Sequence, residues 1–492
     1  MKFLAVALLL ALSADAFGQA CPLFGGQSFG AGTQPNGVAI GDLNGDAKPD
    51  LAVSNNGGSV SILLGNGLGG FSAPSSIGTA FGSRYIAMAD LNGDGKQDLA
   101  VANANVNNVS ILLGDGAGGF SGPTNFPVGA LPVSIAIGNV NADVKPDLVV
   151  ANTNSNNVSV LLGDGLGGFS APTNFGAGTG PTGVAVGELS GDGKLDLAVV
   201  NSVTNNASIL LGDGLGGFSA PTNFAVGSNP RAVAIGDLNG DSKLDVVAAN
   251  LGSTNASVLL GDGLGGFTGP TNFAAGFGPH GIVIGDLDGD SKPDLAVENF
   301  SSNDVSVLRG DGLGAFSGPV NFAAGTNPRW IEIGDLNGDS RKDLAVVNLN
   351  SANATILLNL CSPGSIVSYG SGCPGSGGIV PLLGMAGVPI PGQTVTLSIM
   401  GGLGGANAML FLGLGQASIP VHGGPCSLLV TPILTSFTLP LSGSGAGNGA
   451  IAVPALIPAG TPVLTITLQA FVIDGGVPQG FSGSNGLQVH IQ

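Results

Sequence analysis

One nine-residue pattern, Asp-Leu-Asn-Gly-Asp-x-Lys-x-Asp, opens at Asp42 and returns at Asp90, Asn139, Glu188, Asp237, Asp286 and Asp335, at spacings of 48 and then 49 residues. A fixed period of this length means that one supersecondary unit repeats, and that no unit buries its apolar face alone. Around the motif every unit reads alike. In the fifth, Ala232 to Gly236 is a short apolar run, and the acidic segment Asp237 to Asp245 follows. Val246 to Ala249, Ser257 to Leu260 and Thr268 to Phe273 are three further runs, parted by Asn-rich and Gly-rich turns. Four short β-prone runs in a unit of about 40–50 residues make up one propeller blade. No run keeps a 3.6-residue period and Gly recurs throughout (88 of 492 residues), which argues against a helical solenoid. A linear β-solenoid is the structural rival, but its repeats are usually shorter.

The chain ends support closure of a ring. The seventh unit stops at Leu358, after its third run, without the turn that is Gly-Asp-Gly in the second to sixth units and Gly65-Asn66-Gly67 in the first. The missing piece stands at the other terminus, where Ser28 to Pro35 matches Asn174 to Pro181. The N-terminal run is therefore expected to pair into the last blade and leave no open edge. Cys21 precedes that run and Cys361 follows the third run of the same blade. Four cysteines allow three pairings; this placement favours a Cys21–Cys361 clip, and a Cys373–Cys426 pair fits within the C-terminal part.

The net charge of −18 is concentrated rather than spread: 21 of the 31 acidic residues sit inside the seven motif copies. Only 13 basic residues accompany them, which argues against a nucleic-acid surface. Carboxylates at fixed spacing around a tight turn suit a hard cation, which takes several oxygen ligands. Positions 1, 3, 5 and 9 are the candidate ligands. They are Asp42, Asn44, Asp46 and Asp50 in the first loop, and Asp90, Asn92, Asp94 and Asp98 in the second. The fourth offers Glu188, Ser190, Asp192 and Asp196, and the fifth Asp237, Asn239, Asp241 and Asp245. The sixth has four carboxylates, Asp286, Asp288, Asp290 and Asp294; the seventh has Asp335, Asn337, Asp339 and Asp343. The third departs, with Asn139, Asn141, Ala142 and Asp143, and is expected to bind weakly or not at all. Oxygen donors without His or Cys favour calcium, at about six sites. Position 7, Lys in six loops and Arg341 in the seventh, is expected to offer its carbonyl and point its side chain into solvent.

This motif, together with Gly-Asp-Gly-x-Gly-Gly-Phe in the same register, resembles the FG-GAP/VCBS repeat of integrin α-subunit propellers and of bacterial secreted proteins. The resemblance covers roughly residues 22–360. It implies an all-β fold, a seven-bladed β-propeller with calcium between the first and second strands of each blade and the Gly-Asp-Gly turn on the same face. It also implies binding or adhesion as the activity, with an extracellular protein or glycan as partner on the opposite face. On that face Arg84, Tyr85, Arg231, His280, Arg329 and Trp330 differ from unit to unit and are candidate contacts for an anionic or sugar ligand.

Residues 1–20 read as a signal peptide: Lys2, then an apolar stretch from Phe3 to Leu12, then small residues at Ala14, Ala16, Gly18 and Ala20. That stretch is too short to span a bilayer. The protein is thus expected to be secreted or held at the cell surface, with residues 21–360 as the propeller. Residues 361–492 carry one acidic residue, Asp474, and no Lys or Arg. Their short apolar runs between Gly/Pro turns predict a smaller β-sandwich-like domain; the stretch from Tyr369 resembles a tail domain of secreted bacterial proteins and implies a surface or sorting module. None of His280, His422 and His490 sits in a nucleophile or zinc motif, so no enzymatic activity is expected. A calcium-dependent extracellular hydrolase is the alternative.

Overall fold

A computed structural model describes residues 24–360 throughout and eight strands between 366 and 491. Residues 1–20, which the sequence reads as a signal peptide, and Cys21, Cys361, Cys373 and Cys426 lie outside the described residues. Among the described residues there is no helix. Residues 24–360 form seven four-stranded antiparallel sheets. In the first sheet the inner strand is Pro35–Gly41, the second Asp50–Asn55, the third Ser59–Leu63 and the outer Ser75–Gly78. Each inner strand touches the inner strand of the next sheet, and the first touches that of the seventh, Pro328–Gly334. The circle is closed, and the unit is a seven-bladed β-propeller.

Burial follows from this arrangement. Every second strand, such as Asp-Leu-Ala-Val-Ser-Asn in the first blade, is buried along its whole length, because a neighbouring blade covers each of its faces. A strand covered on both sides reads as a continuous apolar run rather than an alternating one. The seven apolar clusters each join two adjacent blades; one unites Ala52, Val60 and Ile62 with Ile86, Leu99 and Val101. Each fully buried Val, Leu or Ile side chain contributes roughly 1.5–3 kcal/mol. Outer strands are largely exposed except for an anchor, Ile77 in the first blade and in the other six a Phe that meets an aromatic ring of the next blade edge to face. Phe126–Phe169 and Phe175–Phe218 both have centroids 5.4 Å apart. The Asn that ends each second strand is a structural bracket: Asn103 Nδ2 donates to Asn108 Oδ1 and to Ser110 Oγ, both at 2.8 Å, and Ser110 donates onward to Asn125 at 2.7 Å.

The last blade closes as its sequence suggests. Phe24–Gly30 lies antiparallel to Asn353–Asn359, with Phe24 opposite Asn359 and Gly30 opposite Asn353. Phe24 also takes the part of the turn Phe that the seventh unit lacks, meeting Phe322 edge to face at 5.1 Å. The C-terminal strands fall into two antiparallel sheets, one of five strands and one of three.

Candidate functional site

Each acidic motif joins the inner strand of its blade to the second strand. Its Gly-Asp-Gly partner is the turn after the third strand, so both lie at the same end of the blade. They interlock between blades: Gly118 N donates to Leu43 O at 2.9 Å, Gly265 N to Leu189 O at 3.0 Å, and Gly69 N to Leu336 O at 3.1 Å across the closure. The seventh blade has no such turn, and Asn359 Nδ2 donates to Leu287 O at 2.9 Å in its stead.

Within a loop the first carboxylate gathers backbone N–H groups around it. Asp42 Oδ1 accepts from Asn44, Gly45 and Asp46 at 3.2, 2.7 and 3.2 Å, and Oδ2 accepts from Ala47 at 2.8 Å. This curl needs positive φ at position 4, where six loops have Gly, and also at position 6, where the residues are as varied as Ala47, Val144 and Ser242. The third loop keeps the curl with Ala142 at φ 60° and Val144 at φ 63°, a conformation that costs a residue with a Cβ about 1–2 kcal/mol.

Position 9 behaves differently from positions 1, 3 and 5. Asp50, Asp98, Asp147, Asp196, Asp245, Asp294 and Asp343 are fully buried. Asp50 accepts the N–H of Leu43 at 2.9 Å on one oxygen and that of Gly65 at 2.7 Å on the other. The other six repeat this bracket between the loop and the end of the third strand. Position 7 needs a correction. The side chain is half exposed but turned back onto the position-5 carboxylate of its own loop, as in Lys48–Asp46 and Lys292–Asp290, both at 2.9 Å. The cause is local: the position-5 oxygen accepts the backbone N–H of position 7, at 3.0 Å in Lys48, which brings the ammonium back over the loop.

The sixth loop stands apart. One oxygen each of Asp286, Asp288 and Asp294 lies within 4.8 Å of the others, and among the described residues this is the one such group of three. Burial, and then the Asp288 charge, push the Asp294 carboxyl up to about 7. Burial, and then Asp290, push Asp288 up to about 6. Carboxylates that resist ionisation beside one another gain most from a shared cation.

The opposite end of the inner strands holds the second cluster. Arg84, Tyr85, Arg231, His280, Arg329 and Trp330 all line one cavity at the ring centre. The physical reason is a β-bulge. In every inner strand the register slips after the first residue, so the second residue has no cross-strand partner: Asn36, Arg84, Val133, Thr182, Arg231, His280 and Arg329. A bulge re-aims its side chain, and all seven line the cavity. The sequence reading missed Asn36, Val133 and Thr182; the residue after the strand-opening Pro was the available signal. The two clusters stand about 20 Å apart, six residues along a strand.

In the cavity, Arg329 Nη1 meets His280 Nε2 at 3.1 Å, and its guanidinium lies 5.3 Å from the Phe300 ring centre. Tyr85 and Trp330 meet edge to face at 4.6 Å, and Trp330 Nε1 donates to Glu332 at 3.1 Å. Burial, then the nearby arginines, hold His280 well below the usual imidazole range. Glu298, behind His280, accepts the N–H of Gly281 at 2.9 Å, and burial pushes its carboxyl up to about 8.

Three comparisons bear on the family. A model of the FG-GAP-like repeat matches residues 42–101, 90–150, 139–199, 189–248, 237–297 and 295–346. Among curated proteins none matches the chain. Among solved structures, BBS1N in complex with ARL6DN shares the fold and is 15% identical with a TM-score of 0.50, over 70% of this chain and 96% of that one. A catalytically inactive virginiamycin B lyase from Staphylococcus aureus with quinupristin is 13% identical with a TM-score of 0.48, over 68% and 99%. The V. cholerae biofilm matrix protein Bap1 is 13% identical with a TM-score of 0.34, over 94% and 67%. At 15% identity the likeness to BBS1N concerns the fold alone. With the repeat matched from residue 42 to 346 and seven blades in one ring, the chain belongs to the FG-GAP-like repeat family.

Proposed function

We propose that the protein is a secreted, calcium-binding adhesion or ligand-binding module, with cations held in the acidic loops and an extracellular protein or glycan as partner. The observation that carries the calcium reading is the convergence of Asp286, Asp288 and Asp294 within 4.8 Å. Oxygens bound to one calcium at 2.3–2.6 Å lie within about 5 Å of each other. All donors in the loops are hard oxygens, and each loop is hydrogen-bonded to the next blade, so a cation that orders a loop also braces the ring. Export rests on the leader at residues 1–20, and surface association on the low-charge C-terminal part, whose two sheets we take to pack as a sandwich. Among the described residues no helix is long and apolar enough to cross a membrane.

The test counts calcium and measures stability together. Elemental analysis of the mature chain is expected to find about six ions; Asp288→Asn removes one and Asp143→Ala removes none. A site occupied at 100 times its Kd contributes about 2.7 kcal/mol, so chelation lowers the melting temperature. An unchanged melting curve in excess chelator overturns the calcium reading.

A further inference from the structure

The central cavity holds more positive charge than its surroundings balance. Arg84, Arg231 and Arg329 enter it from three blades, each from the bulged residue of its inner strand. Among the described residues none of the three forms an ion pair. The Nε atom of each is buried and has no hydrogen-bond partner. The one side chain hydrogen-bonded to Arg329 is His280, which is held neutral there by burial and by the arginines. Glu298, 3.9 Å behind His280 Nδ1, is fully buried and spends one oxygen on the Gly281 N–H. Burial, then Arg84, lower the Arg231 pKa; burial, then Arg84, bring Arg329 down to about 10. Like charges drawn together out of water destabilise a fold unless something of opposite sign joins them.

The rest of the lining says what kind of anion. Thr153 and Thr182 donate their hydroxyls to the carbonyls of Pro181 and Pro230, both at 2.8 Å, and Asn36 Nδ2 donates to the Gln34 and Ser83 carbonyls, so the side-chain oxygens of these three are left as neutral acceptors for sugar hydroxyls; Tyr85 and Trp330 add aromatic surface. Guanidinium groups, neutral hydrogen-bonding groups and aromatic surface around one concave site suit a sugar that bears a charge. An acidic peptide would need a groove with exposed backbone partners, whereas this lining is a closed circle to which every blade contributes the bulged residue of its inner strand.

We propose that the central mouth binds an acidic saccharide, its carboxylate or sulfate held by Arg84, Arg231 and Arg329 and its ring laid against the Tyr85–Trp330 pair. This rests on the reading of the propeller as a ligand-binding module. It is independent of the calcium loops, which stand at the other end of the inner strands.

The test is titration calorimetry on the mature chain, in calcium and again in chelator. The probes are an unsulfated glucuronate oligosaccharide, its sulfated counterpart, a neutral oligosaccharide of equal length and polyglutamate. At least one acidic oligosaccharide is expected to bind, at least tenfold tighter than the neutral one and more weakly as salt rises. Binding of the unsulfated probe assigns the contact to carboxylate; binding of the sulfated probe alone assigns it to sulfate. Arg84→Gln and Arg231→Gln are each expected to weaken binding at least tenfold. Both are expected to melt at or above the wild-type temperature without ligand, because each relieves repulsion; that also shows they fold. Binding of polyglutamate as tightly as the oligosaccharides overturns the saccharide assignment. No binding of any anion, or unchanged binding by both variants, overturns the site. A melting curve indifferent to chelator, with saccharide binding intact, sinks the calcium reading alone.

Discussion

Replacing Asp147 separates the structural role of the ninth motif position from its role as a ligand. Asp147 is fully buried, and its two oxygens accept the N–H of Val140 at 2.9 Å and of Gly163 at 2.8 Å. Its loop has Asn139 in place of the first carboxylate and Ala142 in place of Gly, so a bound cation contributes little there. In Asp147→Ala both N–H groups lose their acceptor inside the blade. A buried donor left unpaired costs about 1–3 kcal/mol. Burial already pushes this carboxyl up, and removing it relieves that desolvation, so the net loss is about 2–4 kcal/mol. Asp147→Asn keeps one acceptor and is expected to lose about half as much. The control is Asp143→Ala, whose partner Lys145 is 3.9 Å away and half exposed; such pairs are worth about 0–1 kcal/mol. Denaturant unfolding, followed by fluorescence of the single Trp, in calcium and in excess chelator, reads all three. The loss in Asp147→Ala must be the same in both conditions. A loss below about 1 kcal/mol, or one seen only in calcium, refutes the bracket.

Two further predictions follow from the same structure. Phe24, three residues after Cys21, pairs with Asn359, two residues before Cys361, and on this sequence proximity peptide mapping of the unreduced protein is expected to find the two cysteines linked; a Cys21–Cys373 peptide or a lipid on Cys21 contradicts this. Glu298→Gln is expected to stabilise the protein at high pH and not at low. The folded carboxyl, pushed up to about 8 from an ordinary 4.5, keeps its proton while the unfolded chain loses it, so the wild type loses stability between pH 4.5 and 8. The variant is spared that loss, and the gap between the two grows by about 5 kcal/mol from pH 4 to pH 9; a gap that does not change with pH counts against the shift.

The acidic loops and the central mouth were legible to different degrees. The place of each loop, between the inner and second strands, follows from spacing, because pairing within a blade is local. The departures of the third loop were legible too, since Asn139 and Ala142 are visible as letters. The role of Asp294 was not: a carboxylate that closes a motif looks the same whether it meets an ion, two N–H groups or both. Nor was the turning back of Lys292 onto Asp290, which depends on how the loop curls. Position 6 signalled its positive φ only in the second and fourth loops, through Gly95 and Gly193; Ala47, Val144 and the serines of the other loops are not residues that announce one. Arg84, Tyr85, Arg231, His280, Arg329 and Trp330 stood out by contrast with their counterparts in other units, and the structure brings all six to one cavity.

By itself the sequence determined the blade, the number of blades and the strand that closes the ring. Each rests on a period of 48 or 49 residues and on the terminal strand that matches the missing one, and neither needs long-range geometry. Tertiary structure alone decided how the irregular seventh blade is completed and where the mouth residues point. Phe24 replaces a missing turn Phe against Phe322, and the Asn359 side chain replaces a missing backbone donor to Leu287. These substitutions join residues far apart in sequence that become neighbours only once the circle closes. The bulge that turns Arg84, Arg231 and Arg329 inward is likewise a property of two paired strands, not of either one. Closing seven such sheets gathers all three charges around one axis.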